Sequence, residues 1–569
     1  MSAPRRRKRS KPTLSRRDFL RSLGAAGAVA GVVPFLPGCG SGLTPDAGST
    51  GGPAGSTVEF RHGVASGDPL ADRVILWTRV TPVTGTPASI PVGYIVATDQ
   101  ALTQVVSSGT AQAVPATDYT IKLDPVGLSP ATTYFYRFNV GTVLSPVGRT
   151  KTLPLASTAI SRLKIAVASC ASLGHGYFNA YHRIAERTDL DLVVFLGDYI
   201  YEYSSGADGK EVYGTVRTYD PPTEIITLSD YRRRHAQYKA DPDLMALHLQ
   251  HPMINVWDDH ETADNSYKDG AVNHNEAGVQ EGDWHLRVDS AIQAFYEWMP
   301  VRRVDANNQL KNYRRFSIGN LVDLIMLETR LIARDKQLDA TLTAPGLPVG
   351  VFAQQGEFTN PDRSLLGAEQ EAWFIEQMRS STAKWKLIGQ QVMFGQLKVV
   401  GAPNALGASL YLNSDQWDGY DPARTRIHNA IKGDATHPAV NNVVVLTGDI
   451  HTSWAMDITP DPNNLLSYNP LDGTGSLAVE FVTTSVTSPG LEQLAQVQDV
   501  IRTQNPHIKY VDLAAKGYLL LDITPQRVNG EFWYVDTIAA ESSNQSFGAA
   551  FAVADGQNRL TTSAQTSNT

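Results

Sequence analysis

The feature of this sequence that most constrains its fold is a set of four short apolar runs, each ending in side chains that bind metals well. The runs are Leu163–Cys170, Leu190–Asp198, Pro252–His260 and Asn442–His451. They are almost continuously apolar, as expected for strands that are buried on both faces of a sheet. In open α/β sheets, ligands bind in the crevice beyond the carboxyl ends of the strands. The four runs therefore predict an α/β domain whose strand ends meet at one polynuclear metal site.

The first 57 residues have the pattern of an export signal followed by a tether. A basic cluster at 5–9 precedes the sequence Ser-Arg-Arg-Asp-Phe-Leu at 15–20 and a run of Gly, Ala and Val at 24–33. Because this apolar run is too short to span a bilayer, we interpret residues 1–38 as a twin-arginine signal peptide. The alternative is a basic arm that binds nucleic acid. Residues 39–57 are rich in Gly, Ser and Pro, which predicts a flexible tether.

The chain contains only two cysteines, Cys39 and Cys170. The segment Leu36-Pro-Gly-Cys39 resembles a lipoprotein cleavage box, so Cys39 is either removed with the signal or carries a lipid anchor. In both cases Cys170 has no partner for an internal disulfide. A lone thiol in an oxidising compartment would be protected by metal ligation. The alternative is that Cys170 is a buried, inert side chain.

The net charge of the exported part limits its partners. Residues 1–38 hold nine of the 49 basic and one of the 57 acidic residues, which leaves 40 basic against 56 acidic and a net charge of about −16. Such a charge disfavours binding to the phosphates of nucleic acids and is compatible with hard cations such as calcium.

We expect a monomer that lies in the periplasm or outside the cell. The twin-arginine machinery exports folded proteins, so a cofactor can be inserted before export.

Two folded units and a tail are predicted. Residues 58–155 have strand-like runs separated by turn residues, and the approach to Tyr134 resembles a tyrosine corner, which predicts a fibronectin type III-like β-sandwich. Residues 160–540 alternate strands with helical segments, which predicts an α/β domain. The helical segments are 179–187, 229–250, 283–298 and 368–380, and long loops are expected at 335–362 and 401–421. Residues 557–569 are polar and are expected to be disordered.

Several side chains at the predicted strand ends can ligate metals. Asp198 comes directly after an apolar run, and Tyr201 lies three residues later. An aspartate in this position can also be a helix N-cap, but the nearby phenol and thiol favour metal ligation. Asp259 and His260 are adjacent in the sequence. Asp449 and His451 are two residues apart, which places both side chains on the same side of an extended strand.

These motifs resemble those of the PhoD-like alkaline phosphatases, within the calcineurin-like metallophosphoesterases. Ser169-Cys170, Asp259-His260 and Asp449-Ile-His451 stand where most of that superfamily has Asp-x-His, Asn-His and His-x-His. The resemblance covers residues 56–540, and further matching segments are 60–69, 76–79, 298–302, 416–420 and 480–484. It implies an α/β metallophosphoesterase fold, in which a β-sandwich core is flanked by helices and preceded by the N-terminal sandwich.

The same resemblance implies a metal centre. Its iron(III) ligands would be Cys170, Asp198, Tyr201 and His451. Calcium would lie beside the iron, with Asp198 bridging the two ions and with Asp259 and Asp449 as further ligands. Asn265 is an additional calcium candidate, in a motif spaced differently from the usual form. The residue chemistry agrees, because thiolate and phenolate ligands favour iron(III) and oxygen ligands favour calcium.

The function implied is that of an exported alkaline phosphatase that acts on phosphomonoesters, phosphodiesters or both. Two metals would activate a bridging water for attack on phosphorus. His260 would stabilise the transferring phosphoryl group or protonate the leaving oxygen, or would only orient Asp259. Five arginines are equal candidates for a phosphate clamp: Arg232, Arg233, Arg234, Arg302 and Arg330.

Two other functions are compatible with parts of the sequence. The first is a phospholipase D-like phosphodiesterase, as related sequences suggest. The second is a non-enzymatic, calcium-binding surface module in which the β-sandwich makes the contact. That second function predicts a degraded ligand set, whereas all six predicted metal ligands are present.

Overall fold

A computed structural model of the chain describes residues 57–205, 216–275, 281–341 and 351–567. The predicted signal peptide at 1–38 lies outside the described residues, as do Cys39 and the tether up to residue 56. Among the helices in the described ranges, none is long and apolar enough to span a bilayer.

The secondary structure consists mainly of short strands. In the described residues up to 155, strands β1–β10 are Val58–Glu59, Val64–Gly67, Ile75–Arg79, Thr81–Pro82, Ile90–Ala97, Val105–Ala113, Thr120–Leu123, Thr133–Val140, Val143–Leu144 and Gly148–Lys151. Strands β11–β27 are Leu163–Ala168, Leu192–Phe195, Met253–Asn255, Arg314–Ile318, Val322–Met326, Phe352–Ala353, Trp385–Gln390, Lys398–Val400, Leu410–Tyr411, Val443–Thr447, Ser453–Ile458, Ala478–Val482, Ile508–Asp512, Gly517–Ile523, Arg527–Val535, Gln545–Ala554 and Leu560–Thr562. Helices α1–α7 are Asn179–Ala185, Leu228–Lys239, Pro242–Gln250, Trp284–Trp298, Gly367–Ser380, Asp421–Lys432 and Gln498–Gln504.

Two large mixed sheets form the centre of the fold. The first has ten strands in the order β27-β26-β25-β24-β11-β12-β13-β2-β3-β7, and the second has seven in the order β14-β15-β17-β20-β22-β21-β23. Apolar side chains from both sheets form one core, which includes Val194, Ile254, Leu446, Phe481 and Phe532. The opposite faces of these strands pack with the helices in a second core. This architecture is the predicted β-sandwich flanked by helices.

The strand directions place several chain turns at one edge of the sandwich. β11, β12 and β13 run parallel in the first sheet. β15, β17, β20 and β22 run parallel in the second. Because carboxyl ends of parallel strands emerge at the same edge, the segments after β11, β12, β13, β15 and β20 are brought together there.

The N-terminal region is a β-sandwich that shares a sheet with the rest of the chain. One layer is β10-β8-β5-β6, with β9 paired to β8, and the Tyr134 hydroxyl accepts a hydrogen bond from the Ser129 amide at 2.8 Å. The other layer, β2, β3 and β7, extends the ten-stranded sheet through the pair Gly67–Met253. A Cβ on Gly67 would lie 2.4 Å from the Pro300 carbonyl oxygen, so only glycine permits this approach. The sheet is therefore continuous across the predicted boundary at residue 155.

The C-terminal segment is folded, so the prediction of a disordered tail is wrong for the described residues 557–567. β26 pairs with β25, and β27 pairs with β26, which also extends the domain beyond residue 540. The carboxylate of buried Glu531 accepts hydrogen bonds from the Thr566 amide at 2.5 Å and the Ser567 amide at 3.2 Å. A buried carboxylate without such partners would be costly. Glu531 therefore orders a segment whose own composition is typical of disorder.

We expect the protein to lose stability in acid because several histidines are buried in the neutral form. Burial lowers the pKa of His62, His235, His428 and His507 to about 3. An unfolded chain protonates histidine near pH 6.5, so this stabilisation is complete above that pH and is lost as the pH falls toward 3. The loss is roughly 1.4 kcal/mol per pH unit for each histidine. Urea unfolding at pH 7.5 and pH 5.5 measures it.

A matched pair of variants tests the cause of this acid sensitivity. His428→Phe should reduce the loss of stability between the two pH values, because it removes one buried proton acceptor. His437→Phe should leave the loss unchanged, since the side chain of His437 is 48% exposed. Equal pH dependence in the wild type and in His428→Phe would contradict this explanation.

Candidate metal centre

Donor atoms from both large sheets meet at the shared edge of the sandwich. Cys170 follows β11 and Asp198 follows β12, whereas His451 follows β20 in the opposite sheet. The Cys170 Sγ, an Asp198 carboxylate oxygen and a His451 ring nitrogen all lie within 4.8 Å of one another, and all three residues are buried. A thiol, a carboxylate and an imidazole at this spacing can hold a transition-metal ion.

Tyr201 lies against the same three residues. Its hydroxyl donates to Asp198 Oδ2 at 2.9 Å and lies 3.1 Å from His451 Nε2. Ser488 Oγ donates to the Tyr201 oxygen at 2.6 Å. His451 Nδ1 lies 2.7 Å from the Pro489 carbonyl oxygen. That carbonyl can only accept, so Nδ1 carries the proton and Nε2 is left as a ligand atom facing the cluster.

The backbone is left-handed at the residues that carry the cluster. The φ angles are 60° at Cys170, 58° at Asp198, 59° at Asp449 and 63° at His451. Positive φ is uncommon for residues other than glycine, and it concentrates at functional sites where the surroundings hold the strained conformation. At Gly197, φ is 100° and a Cβ would lie 2.4 Å from Asp258 Cβ. The turn after β12 therefore requires glycine immediately before Asp198.

A second group of potential metal-ligand atoms lies beside the first, and Asp198 contributes to both groups. Oxygens of Asp198 and Asp259 and a ring nitrogen of His260 lie within 4.8 Å of one another. The backbone amide of Asn265 donates to Asp259 Oδ2 at 2.6 Å. Asn265 Oδ1 is buried and accepts no hydrogen bond from the residues that the structure describes. A buried oxygen acceptor beside carboxylates fits a hard cation.

His260 is held by a buried carboxylate. Its Nδ1 lies 2.7 Å from Glu202 Oε2, and its ring stacks on Tyr201 with 4.2 Å between the ring centroids. Glu202 also accepts from the Asp264 amide at 2.8 Å. Burial disfavours the charged imidazole, but Glu202, Asp259 and Asp198 outweigh it and hold the pKa of His260 well above its usual value. The carboxylate of Glu202 thus orients this ring and favours its protonated form.

A third acidic group lies around Arg330, in the turn after β15. Oxygens of Asp258, Asp259 and Asp449 lie within 4.8 Å of one another. The Arg330 Nη2 donates to Asp449 Oδ1 at 2.6 Å, and Gln416 Nε2 donates to Asp449 Oδ2 at 2.6 Å. Burial raises the pKa of Asp258 well above its usual range, although Arg330 opposes this effect.

Of the five arginines named from the sequence, Arg330 forms ion pairs with two of the predicted carboxylate ligands, Asp259 and Asp449. Arg232 and Arg233 pair with Glu297 and Asp220, and Arg302 pairs with Asp124. Arg234 is buried and donates to the backbone carbonyl oxygens of Tyr201 and, at 3.0 Å, of Tyr203. The ion pairs of Arg330 therefore reach the predicted carboxylate ligands, whereas Arg234 supports the backbone at Tyr201.

All seven predicted site residues lie in this region, and the structure adds residues that sequence reasoning missed. Cys170, Asp198, Tyr201, Asp259, His260, Asp449 and His451 occupy the three overlapping groups described above. The additions are Glu202, Asp258, Asp415, Gln416 and Ser488. Glu202 and Asp258 are sequence neighbours of predicted ligands, which was an available signal. Gln416 begins the family-like segment 416–420 and Asp415 directly precedes it, so the resemblance was a signal there, whereas Ser488 comes from a distant loop without one.

Known proteins share this fold and sequence. The profile of the PhoD-like phosphatase family matches residues 165–532, and that of the PhoD-like phosphatase N-terminal domain matches residues 47–154. Alkaline phosphatase D of Bacillus subtilis (strain 168) is 38% identical over 488 residues, which is 84% of this chain and 78% of the relative. A solved structure of PhoD superposes with a TM-score of 0.78 at 36% identity, covering 90% of this chain and 93% of that chain.

The sandwich fold, its acidic strand-end site and these matches together define a phosphoric ester hydrolase. The chain belongs to the PhoD-like phosphatase family, and both of the domains of that family are present. The family resemblance predicted from the sequence motifs is therefore confirmed.

Proposed function

We propose that this phosphatase hydrolyses phosphomonoesters and phosphodiesters at a centre that holds iron(III) and calcium. The observation that carries the proposal is the convergence of Cys170, Asp198, Tyr201 and His451 with two further carboxylates, Asp259 and Asp449, at one buried edge of the sandwich. The similarity to an alkaline phosphatase supports action on monoesters.

The iron subsite would use Cys170, Asp198, Tyr201 and His451. Thiolate, phenolate and carboxylate ligands together carry a high negative charge, which matches iron(III) better than magnesium or calcium. The Tyr201 hydroxyl already lies within 3.1 Å of both Asp198 and His451 donor atoms. Ligation would replace the hydroxyl proton that it now donates to Asp198.

The calcium subsite would use oxygen atoms only. Asp198 belongs to both the first and the second donor group, which is the position that a bridging carboxylate requires. Asp259 and Asp449 would be further ligands, and Asn265 is supported by its buried Oδ1 atom. Carboxylate and amide oxygens are the ligands that calcium prefers.

The roles proposed here for individual residues concern proton donation to the leaving group and the binding of phosphate. When bound, the two cations would supply Lewis-acid stabilisation and lower the pKa of the attacking water. Glu202 orients the His260 imidazole and favours its protonated form, which supports a role in which His260 would donate a proton to the leaving oxygen of the ester. Arg330 directs its guanidinium to carboxylates, which leaves it poorly suited to clamp phosphate.

Turnover of two esters tests the proposed function. Protein comprising residues 40–569 would be assayed at alkaline pH with calcium, using p-nitrophenyl phosphate and its bis ester, before and after chelation. The proposal predicts hydrolysis that chelation removes and added metal restores. The ratio of the two rates ranks monoesterase against diesterase activity, and a strong preference for the bis ester would favour the phospholipase D-like alternative. No turnover of either ester by metal-replete protein would contradict the proposal.

We also propose that the chain is exported by the twin-arginine route, on the basis of residues 1–38. Replacing Arg16 and Arg17 by Lys should retain the phosphatase in the cytoplasm, because the export machinery recognises the arginine pair. Activity in cytoplasmic and exported fractions measures the effect. Unchanged export of the double variant would contradict this route, and Cys39→Ser separately tests lipid anchoring by membrane partitioning.

A further inference from the structure

Arg330 is the centre of an unusual concentration of charge. It is fully buried, and four carboxylates surround its guanidinium. Nη1 donates to Asp415 Oδ1 at 2.9 Å and Oδ2 at 2.8 Å, and Nη2 donates to Asp449 Oδ1 at 2.6 Å. Nε donates to Asp258 Oδ1, and Nη2 lies 3.6 Å from Asp259 Oδ1. All three guanidinium nitrogens therefore face acidic groups.

These carboxylates come from parts of the chain that only the fold brings together. Asp258 and Asp259 follow β13 in the ten-stranded sheet, and Asp449 follows β20 in the seven-stranded sheet. Asp415 comes from the loop between β19 and α6. Buried carboxylates at these separations repel one another strongly unless a cation lies between them. The Arg330 guanidinium is such a cation, and it links the two sheets.

The backbone holds Arg330 in place independently of these carboxylates. Glu328 Oε1 accepts hydrogen bonds from the Arg330 amide at 3.0 Å and the Leu331 amide at 2.8 Å. Glu328 Oε2 accepts from the Ile332 amide at 2.9 Å, and Trp257 Nε1 donates to Oε1 at 2.9 Å. The turn after β15 is thus fixed around one carboxylate, so the guanidinium is presented to the site in a set position.

We propose that Arg330 is an internal counter-cation that keeps the acidic half of the centre folded without calcium and thereby weakens calcium binding. The inference rests on the proposed calcium subsite, since Asp259 and Asp449 would serve both cations. Arg330 is assigned a positioning role for these two carboxylates, because all three of its guanidinium nitrogens already pair with acidic groups. In a protein folded before export, such a residue permits folding where free calcium is scarce and leaves calcium to bind outside.

The proposal makes a linked prediction about stability and affinity. A group that stabilises the calcium-free form more than the loaded form weakens calcium binding. The loss of binding free energy equals the difference between the two stabilisation free energies. Arg330→Met should therefore lower the melting temperature of the calcium-free protein more than that of the loaded protein. The same variant should bind calcium more tightly, by roughly tenfold or more, because a positive charge near the ion has been removed.

The experiment compares variants with calcium present and with calcium removed by a chelator selective for it, so that iron is retained. Melting temperatures and calcium titration calorimetry are measured for the wild type, Arg330→Met and Arg424→Met. Arg424 is a matched control, because it is equally buried and pairs with Asp418 at 2.6 Å but contacts none of the proposed ligands. Arg424→Met should lower both melting temperatures equally and leave calcium affinity unchanged.

The outcomes separate this inference from the proposed function. Equal losses in both forms of Arg330→Met, or weaker calcium binding, would overturn it. If Arg330→Met folds only with calcium, the inference is supported. If Arg330→Met folds under neither condition, the same melting temperatures and calcium affinity are measured for Arg330→Lys. Lysine cannot bridge four carboxylates, so this variant should also lose more stability without calcium than with it. A wild type that neither binds calcium nor gains stability from it would instead refute the calcium subsite itself.

Discussion

Replacing Asp198 with Asn is expected to abolish hydrolysis of phosphate esters, with a loss of at least about 10³-fold, or ~4 kcal/mol of transition-state stabilisation. Asp198 belongs to two of the three donor groups, and it accepts from the Tyr201 hydroxyl at 2.9 Å. Asparagine preserves the size of the side chain but removes the negative charge that a bridge between two cations requires. Turnover of p-nitrophenyl phosphate under calcium-replete conditions measures the loss.

The matched control for this variant is Asp522→Asn. Asp522 lies in β24 of the same sheet, where it pairs with Arg162 at 2.6 Å and is remote from the proposed ligands. Its substitution should leave turnover unchanged. A folded Asp198→Asn protein with normal turnover would refute hydrolysis through the proposed centre.

Replacing His260 with Asn should slow hydrolysis of alkyl phosphates by roughly 10²- to 10⁴-fold, while hydrolysis of p-nitrophenyl phosphate falls much less. The reason is that an alkoxide is a poor leaving group that needs a proton, whereas p-nitrophenolate is stable without one. Rates for a series of esters with different leaving groups measure the effect. The dependence on leaving group should become steeper in the variant than in the wild type.

The contrasting possibility is that His260 only orients Asp259. Both classes of ester would then slow equally, and calcium affinity would fall as well. Glu202→Gln provides a matched comparison, since glutamine can still accept from His260 Nδ1 but carries no charge. Glu202→Gln should slow hydrolysis less than His260→Asn does. It should also slow the hydrolysis of alkyl phosphates more than that of p-nitrophenyl phosphate. An equal loss for all esters in both variants would exclude the proton-donor role.

The convergence of the side chains at the strand ends was predictable because each signal is local. An apolar run followed by Gly197-Asp198, or by Asp449-Ile-His451, is contained within ten residues of sequence. The parallel order of β11, β12 and β13 then brings their ends to one edge without further information. The prediction of a single helix at 229–250 was wrong, although the signal that divides it is also local. Asp241 caps a new helix whose first residue is Pro242, so two helices form.

The parts that could not be predicted depend on contacts between distant segments. Ser488 contacts Tyr201 from 287 residues away. Gln416 lies in a segment that matches the family, but its contact with Asp449 follows only from the fold. The pair Gly67–Met253, which makes the N-terminal region continuous with the large sheet, has no periodic signature. Residue pattern identifies which side chains can ligate metal, whereas the partners that orient them follow only from the packed fold.

The proposed iron centre is tested most directly by the visible absorption spectrum of purified, active protein, recorded together with its iron content. We expect bound iron and a phenolate-to-iron charge-transfer band that disappears in Tyr201→Phe, because Tyr201 would supply the phenolate. A colourless, iron-free protein that hydrolyses phosphate esters at the full rate would contradict the proposed iron centre.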